Sequence, residues 1–100
     1  MADSTVWFVS RHRGAVAWAA RHGIIVDRLV AHLDPDEVAA GDTVIGTLPV
    51  HLAARVCARG GRYLHLSLDI PPELRGHELS ADDMDSCRAR IEPYEVRRVQ

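Results

Sequence analysis

Residues 43–59 read TVIGTLPVHLAARVCAR, and this stretch decides the fold. Its opening run, TVIG, is apolar and rich in β-branched residues, which is typical of a strand buried on both faces. Pro49 has the fixed φ angle that suits the first turn of a helix. We therefore predict a strand over the TVIG run, then a polar turn, and then a helix over residues 50–59 that stops at Gly60-Gly61.

The same unit occurs earlier in the chain. Residues 6–9 read VWFV and predict another buried strand. A polar turn over residues 11–14 leads into the alanine-rich residues 15–22, which predict a helix that ends at Gly23. A further strand is expected within residues 24–33, because the DPD sequence that follows them favours a turn.

The last third of the chain predicts one more strand, a helix and a short final strand. Residues 62–70 alternate between apolar and polar side chains, which predicts a strand with one core face and one polar face. Ser80 is a good helix N-cap, and the apolar residues after it recur at helical spacing: Met84, Cys87 and Ile91. Pro93 is expected to end this helix, and residues 94–96 to form the final strand.

This alternation of strands and helices predicts the fold class. We expect a single small Rossmann-like domain over residues 1–100, an α/β three-layer sandwich with a mostly parallel sheet. A chain of 100 residues has room for one core, with a radius of gyration of about 13 Å. Three helices cover such a sheet incompletely, so the uncovered side, with Tyr63 and His65, is expected to face a partner subunit or a ligand.

Composition and charge exclude several classes of protein. The formal net charge of −2 argues against binding to duplex DNA, which calls for a basic surface. No segment has the length and apolarity of a membrane span or a secretory signal, so we expect a cytoplasmic protein. Cys57 and Cys87 lack zinc-site spacing, and the six histidines form no metal motif, so neither a metal nor a cofactor is expected.

The first candidate site is the turn Ser10-Arg11-His12-Arg13-Gly14. In an open α/β sheet, ligands bind beyond the carboxyl ends of the strands. A hydroxyl, two guanidinium groups and an imidazole therefore predict a phosphate-binding turn, with Gly14 allowing close approach of the backbone. The alternative is that Ser10 caps the helix and the arginines are merely solvated.

The second candidate site is the turn Gly46-Thr47-Leu48-Pro49, which precedes His51 in the next helix. Its four residues are predicted to bind phosphate, with the Thr47 hydroxyl donating to a phosphate oxygen. The alternative is a plain cap at Thr47 and a surface histidine. Neither turn is a GxGxxG fingerprint or a P-loop, so a dinucleotide oxidoreductase and a nucleoside triphosphatase both lack their motif.

Four strings of the sequence carry a resemblance to a known family. They are SRHRGA at residues 10–15, VDRLVAHL at 26–33, GDTVIGTLPVHLAA at 41–54 and YLHLSLD at 63–69. Together they resemble a small accessory protein family encoded beside type III CRISPR systems, over nearly the whole chain. The resemblance implies a Rossmann-like fold related to CRISPR-associated nucleotide-sensing (CARF) domains, a homodimer, and a ring nuclease that degrades cyclic oligoadenylate, with cyclic tetra-adenylate the leading substrate.

A ring nuclease of this kind needs no metal, because the ribose 2′-OH can attack the adjacent phosphate if the enzyme holds it in line. Within this hypothesis Arg11 stabilises the phosphorane, and Ser10 and Thr47 hold phosphate oxygens. His12 acts as general acid or base, with His51 or His65 as its partner. The alternatives are a non-catalytic sensor or sponge for the same ligand and, less favoured, a metal-dependent nuclease for linear RNA.

Overall fold

A computed structural model describes residues 4–99 of the chain. Five strands and three helices follow one another in the described part. Their bounds are β1 (Val6–Val9), α1 (Gly14–Arg21), β2 (Arg28–Val30), β3 (Thr43–Gly46), α2 (Val50–Ala58), β4 (Arg62–Ser67), α3 (Ala81–Ser86) and β5 (Arg90–Tyr94), with 3₁₀ turns at Pro35–Glu37 and Pro72–Leu74. The two buried strands predicted from the sequence are confirmed residue for residue.

The five strands form one sheet in the order β2-β1-β3-β4-β5. β1 pairs in parallel with β2 and β3, and β3 pairs in parallel with β4. Only β5, at the edge, is antiparallel to its neighbour β4. The predicted α/β class with a mostly parallel sheet is thus confirmed. None of the helices within residues 4–99 is long and apolar enough to cross a membrane.

Neighbouring residues on each central strand enter different cores, because successive side chains point to opposite faces of the sheet. Phe8 and Ile45 pack with Trp18 of α1 and Met84 of α3. Trp7 and Val44 belong to a separate core with Val56 of α2. The sheet is therefore the middle of three layers, with α1 and α3 on one face and α2 on the other.

One buried carboxylate fastens the amino ends of β1 and β3 together. Asp42 is 4% exposed and accepts hydrogen bonds from the backbone of Thr5 and Ala39 and from Trp7 Nε1. Burial by itself raises the pKa of Asp42, but the three hydrogen bonds outweigh it, so the pKa lies below its ordinary value. Asp42 therefore stays ionised and holds the amino ends of β1 and β3 together.

The first turn of α1 packs unusually close to the start of α3. A Cβ on Gly14 would lie 2.4 Å from the carbonyl oxygen of Leu79 and 2.7 Å from the nitrogen of Ala81. Gly14 does allow close approach of a backbone, as predicted, but the approaching backbone belongs to this chain. Only glycine fits at this crossing.

Two expectations about the sheet are wrong. Tyr63 was predicted on an uncovered polar face, yet it is 3% exposed and lies in the core under α2. Its ring is apolar although its hydroxyl is polar, so strand alternation misclassified it. Ile91 was predicted on α3, but that helix ends at Ser86, and Ile91 lies in β5 opposite Leu66.

Candidate functional site

Both predicted turns begin at neighbouring points on the sheet. Val9, the last residue of β1, is paired with Gly46, the last residue of β3. From there the chain runs to opposite faces, since β1 leads to α1 and β3 leads to α2. In open α/β sheets this divergence opens a crevice at the carboxyl ends of the strands, where ligands bind.

Ser10 does not cap α1, so the alternative interpretation of this residue as a helix cap is wrong. The residue before the helix is Arg13, and no side chain caps this terminus. The Ser10 Oγ instead accepts a hydrogen bond of 3.1 Å from the His12 N–H. This bond folds residues 10–12 into a tight turn and leaves the hydroxyl proton of Ser10 free to donate.

The first turn opens into a cavity of about 410 Å³. Arg11 and His12 line it together with Arg75 and His77, which come from the loop before α3. We call the cavity lined by these four residues the basic pocket. Sequence reasoning missed Arg75 and His77, although the RGH string around them resembles the RHRG string of the first turn in composition.

The basic pocket keeps its positive charge. Among residues 4–99, the ion pairs include neither Arg11 nor Arg75. Glu78 also lines the cavity, but it is paired with Arg13 at the solvent-exposed rim, where Glu78 Oε1 lies 3.4 Å from Arg13 Nε. Two guanidinium groups that form no ion pair with the described residues, beside two imidazoles, are suited to binding an anion with several oxygens.

The imidazole of His12 has a defined orientation in the pocket. Its Nδ1 accepts a long hydrogen bond of 3.4 Å from the Leu79 N–H. An N–H donor at Nδ1 favours the tautomer that carries the proton on Nε2. His12 is therefore oriented to donate a hydrogen bond from Nε2.

The second turn uses its polar groups within the protein. Thr47 donates its hydroxyl proton to the Leu66 carbonyl at 2.6 Å. The Leu48 N–H donates to the Tyr63 hydroxyl at 3.0 Å, and Pro49 has no N–H to offer. The two groups best placed to bind a phosphate here already have partners inside the protein.

The Tyr63 hydroxyl joins the second turn to His65. It lies 3.1 Å from the Gly46 carbonyl and 2.6 Å from His65 Nδ1. Burial raises the pKa of Tyr63, so its hydroxyl remains protonated at neutral pH. His65 packs edge-on against both Tyr63 and Tyr94. Sequence reasoning did not anticipate that this buried phenol orients His65.

The structure does not bring the three predicted catalytic histidines into one cavity. His12 lies in the basic pocket, whereas His51 lines a separate groove of about 1040 Å³ beside α2. His65 lines neither. The histidine that shares the cavity with His12 is His77. Within the described residues, no group of three or more His, Cys, Asp or Glu side chains is placed to hold a metal ion.

A comparison with known families shows the family to which the chain belongs. The model of the family described as "Putative CRISPR-associated protein (Cas_VVA1548)" matches residues 7–97. Because the match covers almost the whole chain, the protein belongs to this CRISPR-associated family, and the resemblance seen in the sequence is confirmed at that level. No curated protein and no solved structure gives a significant match.

Proposed function

We propose that this CRISPR-associated protein is a cytoplasmic ring nuclease with a Rossmann-like, CARF-related fold, which binds cyclic oligoadenylate in the basic pocket and cleaves it. Cyclic tetra-adenylate is the leading substrate. Membership of the family supports the CRISPR context. The activity itself rests on the sequence resemblance and on the chemistry of the pocket.

One observation carries the proposal. Arg11, His12, Arg75 and His77 line a single cavity next to the carboxyl end of β1. The two guanidinium groups supply the charge that a phosphodiester requires, and the imidazoles supply groups that can transfer protons near neutral pH. Local charge of this kind is sufficient for binding even though the chain has a net charge of −2.

The cleavage step uses the substrate, the side chains of the basic pocket and the hydroxyl of the adjacent Ser10. The ribose 2′-oxygen bonds to phosphorus, the bond from phosphorus to the 5′-oxygen breaks, and a 2′,3′-cyclic phosphate and a 5′-hydroxyl result. His77 removes the proton of the 2′-OH, and His12 Nε2–H donates to the leaving 5′-oxygen. Arg11 and Arg75 stabilise the phosphorane, while the Ser10 hydroxyl holds an equatorial oxygen.

A homodimer fits this substrate. Cyclic tetra-adenylate has rotational symmetry, so a twofold pair of chains would present two basic pockets to opposite phosphates of one ring. Sedimentation equilibrium of the purified protein checks this part of the proposal. We expect twice the chain mass of 11.1 kDa, whereas a monomer in the presence of the ring would contradict it.

The experiment is incubation with cyclic tri-, tetra- and hexa-adenylate in the presence of EDTA, followed by liquid chromatography and mass spectrometry. We expect linear products that carry a cyclic phosphate. Arg75→Ala should abolish most of the product. Arg28→Ala is the matched control, because it removes a guanidinium group that lines neither the basic pocket nor the groove beside α2 and stacks on Trp7 instead.

Two outcomes would overturn the proposal of a metal-independent ring nuclease. An intact ring that stays tightly bound after prolonged incubation identifies a protein that sequesters or senses the messenger. Cleavage that stops in EDTA and returns with a divalent metal identifies a metal-dependent mechanism.

A further inference from the structure

A second cavity lies away from the basic pocket. It is a groove of about 1040 Å³ between α2 and the end of β5 with the C-terminal segment after it, and the linings of the two cavities share no described residue. We call it the α2 groove. Nothing in the proposed ring cleavage uses it.

The groove has an apolar floor and one prominent aromatic wall. Cys57 of α2 and Val96 of the C-terminal segment line it, and the Val96 N–H lies 3.5 Å from the Cys57 sulfur, which ties the segment to the helix. Tyr94 also lines the groove and is 51% exposed. Its ring meets the ring of His65 edge-on, with 5.5 Å between the centroids.

The rim of the groove is strongly basic. Arg55, Arg62, Arg97 and Arg98 line it, and Glu95 is the one acidic residue among the described residues of the lining. Arg55 is paired with Asp36 at 2.8 Å. The ion pairs found in residues 4–99 include none of the other three arginines. In a chain of net charge −2, this is a local excess of positive charge.

We propose that the α2 groove is a second binding site, for a single-stranded oligonucleotide. A basic channel that follows a phosphate backbone, together with an exposed aromatic ring on which a base can stack, is the combination that binds single strands without strong sequence preference. Arg62, Arg97 and Arg98 contact phosphates, and Tyr94 stacks on a base. This site operates whether or not the basic pocket cleaves a cyclic ring.

The charge of the rim favours this ligand over a second copy of the chain. A second copy has a net negative charge, but a symmetric pair would bring two basic grooves against each other. Any other arrangement would need an acidic surface elsewhere on the second copy. Each residue of a nucleotide chain carries one negative charge, which matches the basic rim, and a base with a flat π-face, which matches the ring of Tyr94.

The probe is a fluorescein-labelled ten-nucleotide oligouridylate, and the measurement is its fluorescence anisotropy with the full chain at several salt concentrations. We expect Tyr94→Ala to weaken binding about tenfold, the effect of removing one stacked base. Arg97→Ala with Arg98→Ala should reduce the slope of log affinity against log salt by about 1.4, since each phosphate contact contributes about 0.7. Arg28→Ala should bind as the wild type does.

Thermal melting first confirms that each variant is folded. No binding by the wild-type chain at low salt would overturn the proposal. So would loss of binding in Arg75→Ala but not in Tyr94→Ala, which would move the oligonucleotide to the basic pocket. Conversion of a dimer to a monomer by Tyr94→Ala, with unchanged oligonucleotide affinity, would instead make the groove a subunit interface. None of these outcomes depends on ring cleavage, which is assayed separately.

Discussion

The first and second turns follow neighbouring strands of the sheet, yet they differ in whether their polar groups have partners inside the protein. In the first turn, Arg11 has no ion-pair partner within residues 4–99 and lines the basic pocket. In the second turn, Thr47 and the Leu48 N–H are both bound inside the protein. A polar turn at a strand end is thus a binding site only if the fold leaves its donors unpaired.

The cause of the difference lies in the strand beside each turn. β4 supplies the Leu66 carbonyl and the Tyr63 hydroxyl, which take up the donors of the second turn. Beside the first turn, β2 takes up the Ser10 N–H through the Val30 carbonyl at 3.0 Å, whereas the side chain of Arg11 lines the basic pocket. The first turn also faces the loop before α3, which adds Arg75 and His77 and so increases the positive charge.

The largest expected effect distinguishes the glycines of the two turns. Gly14→Ala should lower the free energy of unfolding by about 3 kcal/mol, because its Cβ would lie 2.4 Å from the rigid backbone at Leu79. Gly46→Ala should lower it by about half as much, since its nearest contact, the carbonyl oxygen of Val9, is at 2.9 Å. Urea denaturation of both variants measures this order. Equal losses would show that the crossing of α1 and α3 is not the tighter contact.

The next comparison is between one side chain from each turn. Arg11→Ala should reduce the rate of ring cleavage about 100-fold, as removal of a group that stabilises transition-state charge does. Thr47→Val should change that rate by no more than about threefold, because the Thr47 hydroxyl proton is already donated to Leu66. Single-turnover kinetics measures both rates. If Thr47→Val were the slower enzyme, the second turn would be the site.

Tyr63→Phe tests the internal hydrogen bonds of the second turn. It leaves the Leu48 N–H without its acceptor, so the free energy of unfolding should fall by about 1 to 2 kcal/mol. Urea denaturation at neutral pH measures the loss. A variant as stable as the wild type would show that the second turn does not depend on this phenol.

The smallest expected effect is a pH dependence at the same residue. Burial raises the pKa of Tyr63 above its ordinary value of 10.0. The folded protein therefore holds this proton more tightly than the unfolded chain, and stability is lost as the pH rises through and above about 10. Tyr63→Phe should show a shallower loss between neutral and alkaline pH. Identical slopes for both proteins would contradict the role assigned to burial.

The sequence predicts the centre of the sheet best. The runs VWFV and TVIG are short, mostly apolar and rich in β-forming residues, which is typical of a strand buried on both faces. The edge was harder to predict, because Ile91 continues the helical spacing of Met84 and Cys87 although it belongs to β5. A periodic pattern does not show where a short helix stops.

Half of the residues of the candidate site could be predicted from the sequence. Arg11 and His12 follow directly from the position of their turn after a buried strand. Arg75 and His77 lie more than 60 residues away in the chain, and only the packing of α3 against α1 brings their loop to the first turn. The pairing of Thr47 with Leu66 is equally a long-range contact, with no sign of it in the local sequence.

The most direct test is the affinity for cyclic tetra-adenylate in which fluorine replaces each 2′-hydroxyl, so that the ring is bound but not cleaved. Isothermal titration calorimetry would compare the wild type, the double variant Arg11→Ala with Arg75→Ala, and Thr47→Val. We expect the double variant to bind at least about tenfold more weakly, because each lost guanidinium removes a charge-assisted contact, and Thr47→Val to bind as the wild type does. Unchanged affinity in the double variant, or a loss confined to Thr47→Val, would contradict the assignment of phosphate binding to the basic pocket.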